Sequence, residues 1–404
     1  MKGFGSVIKP KWWGSTAQAS DLTILSPFRR SEIIATMAIA MLTGVTAVLQ
    51  PLLLGGLATA GRLSVPQIGQ AAMLESLGMA VATGAAGALL RPGRLREIAI
   101  IATLVLLAAN MTTMIGSAHL IIGARFVAGL ATGFVLWIYA GLLTRVPLPA
   151  RVAAIQLLTT GSLALAFSFI MTLLTPRWGS QAGYFTLMLF NGAMFALVYF
   201  LPRRYKVIKK ATGKRGLPPP RGMVALTSIC LQNAAITSVW VYAIPIGRAA
   251  GINNQSVGLA LTCALAFKLL GATGAMAIAS RFKAHLVLFV TYTAIWIVFS
   301  LLLGANSMIT FAACLCVLTF MWMCGNAFQM PFLIATDPGG QAPMQIFTAQ
   351  LIGLSIGPSL ASLAVANDGP RGAPLTGMVL MLISILSVLW VVRRPRAVSE
   401  SLAS

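Results

Sequence analysis

Along almost its whole length the sequence is divided into apolar runs of about twenty residues, separated by short, mostly basic segments. A helix rises about 1.5 Å per residue, so a run of this length spans the ~30 Å hydrocarbon core of a bilayer. Such runs fall near 31–60, 65–90, 98–116, 118–144, 152–176, 181–202, 223–247, 255–280, 285–304, 306–335, 342–366 and 372–392. Each reads as one transmembrane helix, and the expectation is an all-α integral membrane protein with twelve of them. Glu75 and Lys268 interrupt the second and the eighth. Composition agrees: 58% of the 404 residues are hydrophobic and 9% are charged, where a soluble domain carries about a quarter charged residues.

The formal charge of +22 raises the question of nucleic acid, and its distribution answers it. Lys2, Lys9, Lys11, Arg29 and Arg30 precede the first run. Arg91, Arg94 and Arg96 follow the second, Arg145 and Arg151 the fourth, and Arg281 and Lys283 the eighth. The central segment "RRYKVIKKATGKRGLPPPRG" holds eight more, and Arg393, Arg394 and Arg396 follow the last run. These segments all lie on one side of a twelve-helix path and carry 23 of the 29 basic residues; the other side has four, Arg62, Arg177, Arg248 and Arg371. The excess marks the cytoplasmic side. A multi-pass protein of a bacterial inner (cytoplasmic) membrane is expected, with both termini in the cytoplasm. The charge then faces the anionic leaflet, and no nucleic-acid partner is expected. The N-terminus, "MKGFGSVIKPKWWGSTAQ", has no short apolar core with a cleavage site, so no signal peptide is expected to be removed. All five cysteines lie in apolar runs without a C-x-x-C spacing and read as small packing residues. Neither a metal site nor a cofactor is expected.

The chain repeats itself about its basic, Pro-rich centre. "VATGAAGALLRPGR" (81–94) aligns without gaps on "GATGAMAIASRFKA" (271–284), and "AAIQLLTTG" (153–161) on "FTAQLIGLS" (347–355), with Gln156 opposite Gln350. In the first alignment Leu265 stands opposite Glu75, with Lys268 three residues further on. The division expected is a tail (1–30), a six-helix bundle (31–202), a basic linker (203–222), a second six-helix bundle (223–393) and a tail (394–404). Six-plus-six repeats of this kind belong to transporters whose halves rock about a site near the bilayer midplane.

Several segments resemble the major facilitator superfamily, and the resemblance extends over essentially the whole chain. That family's loop between helices 2 and 3 reads Gly-x-x-x-Asp-Arg-x-Gly-Arg-Arg. In "ALLRPGRLR" Arg91, Gly93 and Arg94 match, while Leu90 replaces the Asp. The second copy, "AIASRFKAH", keeps Arg281 and has Ser280 in place of the Asp. "RFVAGLATG" is similar to the helix-4 pattern Arg-x-x-x-Gly through Arg125 and Gly129. The fifth run, "LLTTGSLALAFSFIMTLL", lacks the Gly-Pro signature of many drug–proton antiporters, whereas Gly357-Pro358 lies in the eleventh. The resemblance implies two pseudo-symmetric six-helix bundles, a cavity lined by helices 1, 4, 7 and 10, and a helix-4 arginine tied to proton coupling.

Charges within the spans are the first candidates for function, because placing one there costs about 2.5–3.5 kcal/mol on insertion scales. Glu75, about ten residues into its span, reads either as a hydrogen-bonded protonated acid or as a proton-coupling carboxylate. Lys268 reads as a substrate or counter-charge site, as a structural ion pair, or as a side chain reaching an interface. Arg125 serves coupling, grips a substrate carboxylate in bidentate fashion, or ties helix-end carbonyls. Polar stripes add Thr43, Thr46 and Gln50; Asn233, Thr237 and Trp240; and Thr319, Trp322, Asn326 and Gln329, each on one helical face. Such stripes either line a cavity or bond helices to one another. The candidate proton-coupling residues are therefore Glu75 and Arg125. The candidate substrate residues are Lys268, Arg125, Gln50, Asn233, Trp240, Trp322, Asn326 and Gln329.

An enzyme is disfavoured, since His119 and His285 stand at span ends without a carboxylate or metal-ligand cluster. No nucleotide-binding motif is present, which leaves an ion gradient as the energy source. The expected function is secondary active transport of a small organic anion, with an aromatic carboxylate as one form of it, by alternating access and with a proton as partner. Efflux of drugs or other hydrophobic compounds is the alternative, disfavoured by a cavity holding two cations and one acid. A monomer in the bilayer is expected.

Overall fold

A computed structural model describes residues 28–89, 93–143, 145–146, 149–179, 181–205, 218–278, 281–337 and 341–393. Both tails up to these bounds, most of the basic linker, and Leu90, Arg91 and Ser280 of the loop motifs lie outside the described residues.

The chain is all-helical. Its elements are α1 Arg30–Val48, α2 Gln50–Thr59, α3 Val65–Leu89, α4 Leu95–Ile115, α5 Ala118–Leu143, α6 Pro149–Trp178 and α7 Gln181–Val198, then α8 Pro220–Trp240, α9 Ala243–Ala249, α10 Asn254–Ile278, α11 Ala284–Leu303, α12 Met308–Thr336, α13 Gln341–Met344, α14 Ile346–Asp368 and α15 Gly372–Arg393. Ten stretches among the described residues are long and apolar enough to cross a membrane, the last of them Ile346–Arg393. α3 is not one of the ten, although it runs for 25 residues. It packs between α5 and α14.

Two apolar runs are broken rather than straight. At Leu49 the backbone N–H is shared between the carbonyls of Val45 and Thr46, each at 3.1 Å, and α2 begins just before Pro51. In the later run Val241 and Tyr242 separate α8 from α9, which contains Pro245. Proline has no N–H to give and crowds the preceding turn, which accounts for a break at each place. Pro51 and Pro245 are separated by the same number of residues as Gln156 and Gln350, so the breaks repeat as well.

Close helix crossings are made by glycines. A Cβ at Gly129 on α5 would strike the Glu75 carbonyl on α3, and one at Gly78 on α3 would strike the Phe126 carbonyl on α5. Gly271 on α10 lies in the same way against the Phe320 carbonyl on α12. Without side chains the backbones touch, as small residues allow in lipid.

These crossings correct the repeat register read from the sequence. Superposing Gly78 on Gly271 sets Ile68, Ala71, Ala72 and Ala82 on Leu261, Ala264, Leu265 and Ala275, all of them buried. The register drawn from Ala-Thr-Gly-Ala sets buried Gly271 on Val81, which is 47% exposed. Gly274 touches the Phe320 ring while its sequence match Gly84 faces open space. Small residues recur too freely in such helices for four of them to fix a register. In the structural register Glu75 stands directly opposite Lys268.

Helices from early and late in the chain meet along two seams. On one, Gly69 of α3 lies under the Pro358 carbonyl and Ser362 of α14, and the Tyr242 hydroxyl donates to the Pro66 carbonyl at 3.4 Å. On the other, Ser168 Oγ of α6 and Thr262 Oγ1 of α10 share a hydrogen bond of 2.7 Å, and Gly258 packs against Thr172.

Candidate functional site

The first cluster forms where α1 breaks. Gln50 opens α2 at the break and donates from Nε2 to Glu75 Oε2 at 3.3 Å. Gly129 brings α5 against α3 at the level of Glu75, and Arg125, one turn away on α5, reaches the same level. Arg125 is 1% exposed and Glu75 3%. The guanidinium stands 4.0 Å from Glu75 Oε1, a long ion pair.

The firmer bonds of Arg125 are to neutral groups on α4. Its Nη2 donates to Asn110 Oδ1 at 2.8 Å, Thr113 Oγ1 at 2.7 Å and the Ala109 carbonyl at 3.3 Å. The Tyr184 ring of α7 lies beneath it at 5.2 Å, within range of a cation–π contact. Arg125 is thus held in place whether or not Glu75 is charged, while Glu75 receives one hydrogen bond and a distant cation. In such an arrangement a change of proton on the carboxyl would not release the arginine. The Gln50 amide suits both forms, since its NH₂ donates to a carboxylate and its oxygen accepts from a carboxylic acid.

The second cluster surrounds Lys268 on α10. Its side chain is half-buried, with Nζ 4.2 Å from the centre of the Trp322 ring of α12. Trp322 meets Trp240 of α8 edge-on at 6.3 Å, and Trp240 Nε1 donates to the Val48 carbonyl at 3.3 Å. A narrow crevice of about 40 Å³ joins Lys268 to Val48, Leu157, Gly161 and Met323. Among the described residues no carboxylate pairs with Lys268, which is left with its aromatic face.

The third cluster is a run of amides. Gln329 Nε2 donates to Gln232 Oε1 and Asn326 Oδ1, each at 2.9 Å, and its Oε1 accepts from Gln350 Nε2 at 2.7 Å. Within the same later helices the Gln232 Nε2 and the Trp322 Nε1 are buried without a partner among the described residues.

The sequence candidates therefore fall into separate groups. Glu75, Arg125 and Gln50 come together, as do Lys268, Trp322 and Trp240, and Asn326 with Gln329. Arg125 and Lys268 make no contact with one another. Asn233 returns its amide to the Ile229 carbonyl at 2.9 Å, and Thr237 bonds the Asn233 carbonyl at 2.8 Å. Thr319 is interhelical, reaching the Ala264 carbonyl of α10 at 2.6 Å. The sequence reading did not single out Asn110, Thr113, Tyr184 or Gln232. Asn110 and Thr113, a turn apart in an otherwise apolar run, were the available sign. Among the described residues no three His, Cys, Asp or Glu side chains gather as metal ligands would.

No family model matches the sequence, and no curated protein matches it. Its fold is nevertheless found among solved structures. A crystal structure of a D-xylose-proton symporter, a major facilitator superfamily transporter, superposes with a TM-score of 0.69. The match covers 90% of this chain and 97% of that one, at 10% sequence identity. At that identity the likeness is one of fold.

Proposed function

We propose that the protein is a proton-coupled secondary transporter that moves a small organic anion across the inner membrane by alternating access. Twelve spans form two six-helix halves, 31–202 and 223–393, that meet along the α3–α14 and α6–α10 seams and rock about them. The observation that carries the anion reading is Lys268, a half-buried cation set over Trp322 with no carboxylate beside it. A carboxylate would complete its charge, and the Trp322–Trp240 pair would accept an apolar or aromatic body. Glu75, held beside Arg125, carries the proton.

Truncating the cation tests this reading. Lys268→Ala is expected to weaken binding of an aromatic carboxylate by about 1.5–3 kcal/mol, the worth of a charge-assisted hydrogen bond. Isothermal titration of the purified protein with benzoate-like acids measures it, and unaltered affinity removes the anion reading. A neutral polyhydroxylated substrate is a second reading, favoured by the Gln329 amide cluster and its unpartnered neighbours. Pentoses that bind wild type and Lys268→Ala equally, where acids do not bind, would select it.

The cytoplasmic termini and linker rest on the distribution of basic residues. In intact cells a membrane-impermeant thiol reagent is expected to modify Gly61→Cys and spare Gly213→Cys. The reverse pattern overturns the topology.

A further inference from the structure

One cavity lies apart from all three clusters. It has a volume of about 500 Å³ and sits at the end of the bundle that carries Arg62, Arg177 and Arg248. Leu52 and Leu53 of α2, Met171 of α6 and Ile244 of α9 form its apolar walls. Its floor is the α6–α10 seam, where Gly258 packs against Thr172 and Ser168 bonds Thr262 at 2.7 Å. One wall thus comes from early helices and the other from late ones.

The lining contains no charged side chain. At the rim Asn253 Oδ1 accepts the Ser256 N–H at 2.8 Å, which leaves its Nδ2 to donate outward. Asn254 and Gln255 add exposed amides beside it. The Thr172 and Thr175 hydroxyls donate to the Ser168 and Met171 carbonyls, at 2.9 and 2.7 Å, so towards the cavity they offer acceptor lone pairs. An apolar body with donors grouped at one rim matches a ligand with an apolar body and an acceptor-bearing uncharged head. Volumes of about 300–1,000 Å³ are those of small-molecule sites.

We propose that this crevice is a binding site for an uncharged amphipathic small molecule, distinct from the site that takes the transported substrate. Because its two walls belong to opposite sides of the seam, an occupant bridges them and holds the seam shut. The binding does not depend on what is transported; the effect on exchange rests on the transporter reading above.

A diazirine-bearing straight-chain alcohol in proteoliposomes tests the site, with the labelled peptides mapped by mass spectrometry. Labelling is expected at residues 52–60, 171–175 and 253–258, and excess octanol should reduce it saturably. Thr175→Trp, which places an indole in the cavity from an exposed position, should lower it about tenfold, a loss of ~1.4 kcal/mol. Asn254→Trp, from the opposite wall, should do the same and guards against a folding defect in the first variant. Labelling elsewhere, or labelling unaffected by both variants, overturns the proposal. So does equal, non-competable labelling of the same residues by a diazirine-bearing phosphatidylcholine acyl chain, which would make the crevice a lipid contact. Saturable labelling with no slowing of substrate exchange by octanol would keep the site and remove the seam-locking role.

Discussion

Arg125→Ala is expected to destabilise the protein by about 3–5 kcal/mol, the cost of leaving one member of a buried ion pair without the other. Three bonds on α4 are lost at once, and Asn110 Oδ1 and Thr113 Oγ1 lose the donor that served them, while the Ala109 carbonyl keeps the Thr113 hydroxyl. The charge on Glu75 also loses the cation 4.0 Å from it. These two parts separate in a double-mutant cycle. In a Glu75→Gln background the charge part disappears, so the same truncation should cost clearly less. Equilibrium unfolding in detergent micelles measures all four proteins. An equal cost in both backgrounds would mean that Arg125 is a brace for α4 and has no electrostatic tie to Glu75.

Glu75→Gln should leave binding intact and abolish uphill transport. Glutamine copies the size and hydrogen bonding of the protonated acid and cannot release a proton. If Glu75 is the coupling group, the variant still exchanges labelled for unlabelled substrate across a vesicle membrane, because that half-cycle needs no net proton movement. It no longer accumulates substrate under an imposed pH gradient, and its affinity no longer changes with pH. Accumulation equal to wild type would reduce Glu75 to a hydrogen-bonding residue of the bundle. Since Gln50 reaches Glu75 at 3.3 Å and Arg125 remains held by Asn110 and Thr113, the substitution should be tolerated structurally.

Much of the fold was legible because the bilayer demands continuous apolar runs, and those are plain in any sequence. The breaks at Leu49 and Val241 were less so: Pro51 and Pro245 mark them, but a proline inside an apolar run also permits an unbroken helix, as Pro331 in α12 and Pro358 in α14 show. The pairing of Arg125 with Glu75 depended on which faces of α3 and α5 meet. Gly78 and Gly129 decide that, and glycine is too common here for two to stand out. Lys268 was recognisable as an intramembrane cation, yet its position opposite Glu75 appeared only from the burial of Ile68, Ala71 and Ala72 against Leu261, Ala264 and Leu265. Asn110, Thr113 and Tyr184 did not stand out for a different reason. Each is an ordinary residue until a buried guanidinium needs an acceptor or a ring.

The glycine crossings have a mechanical consequence. Where two backbones touch, there is no layer of side chains to slide or repack, so α3 and α5 cannot shear past one another and must travel as a single stiff lever. Glu75 and Arg125 sit on the two arms of that lever beside its weld, at Gly129 and Gly78. The rocking motion proposed above would therefore carry the acid and its arginine along together without pulling them apart. What rocking can change is the surroundings of the pair. If Glu75 is the coupling group, proton exchange is timed by the shifting environment that Gln50, on the bent first span, presents to the lever as it moves.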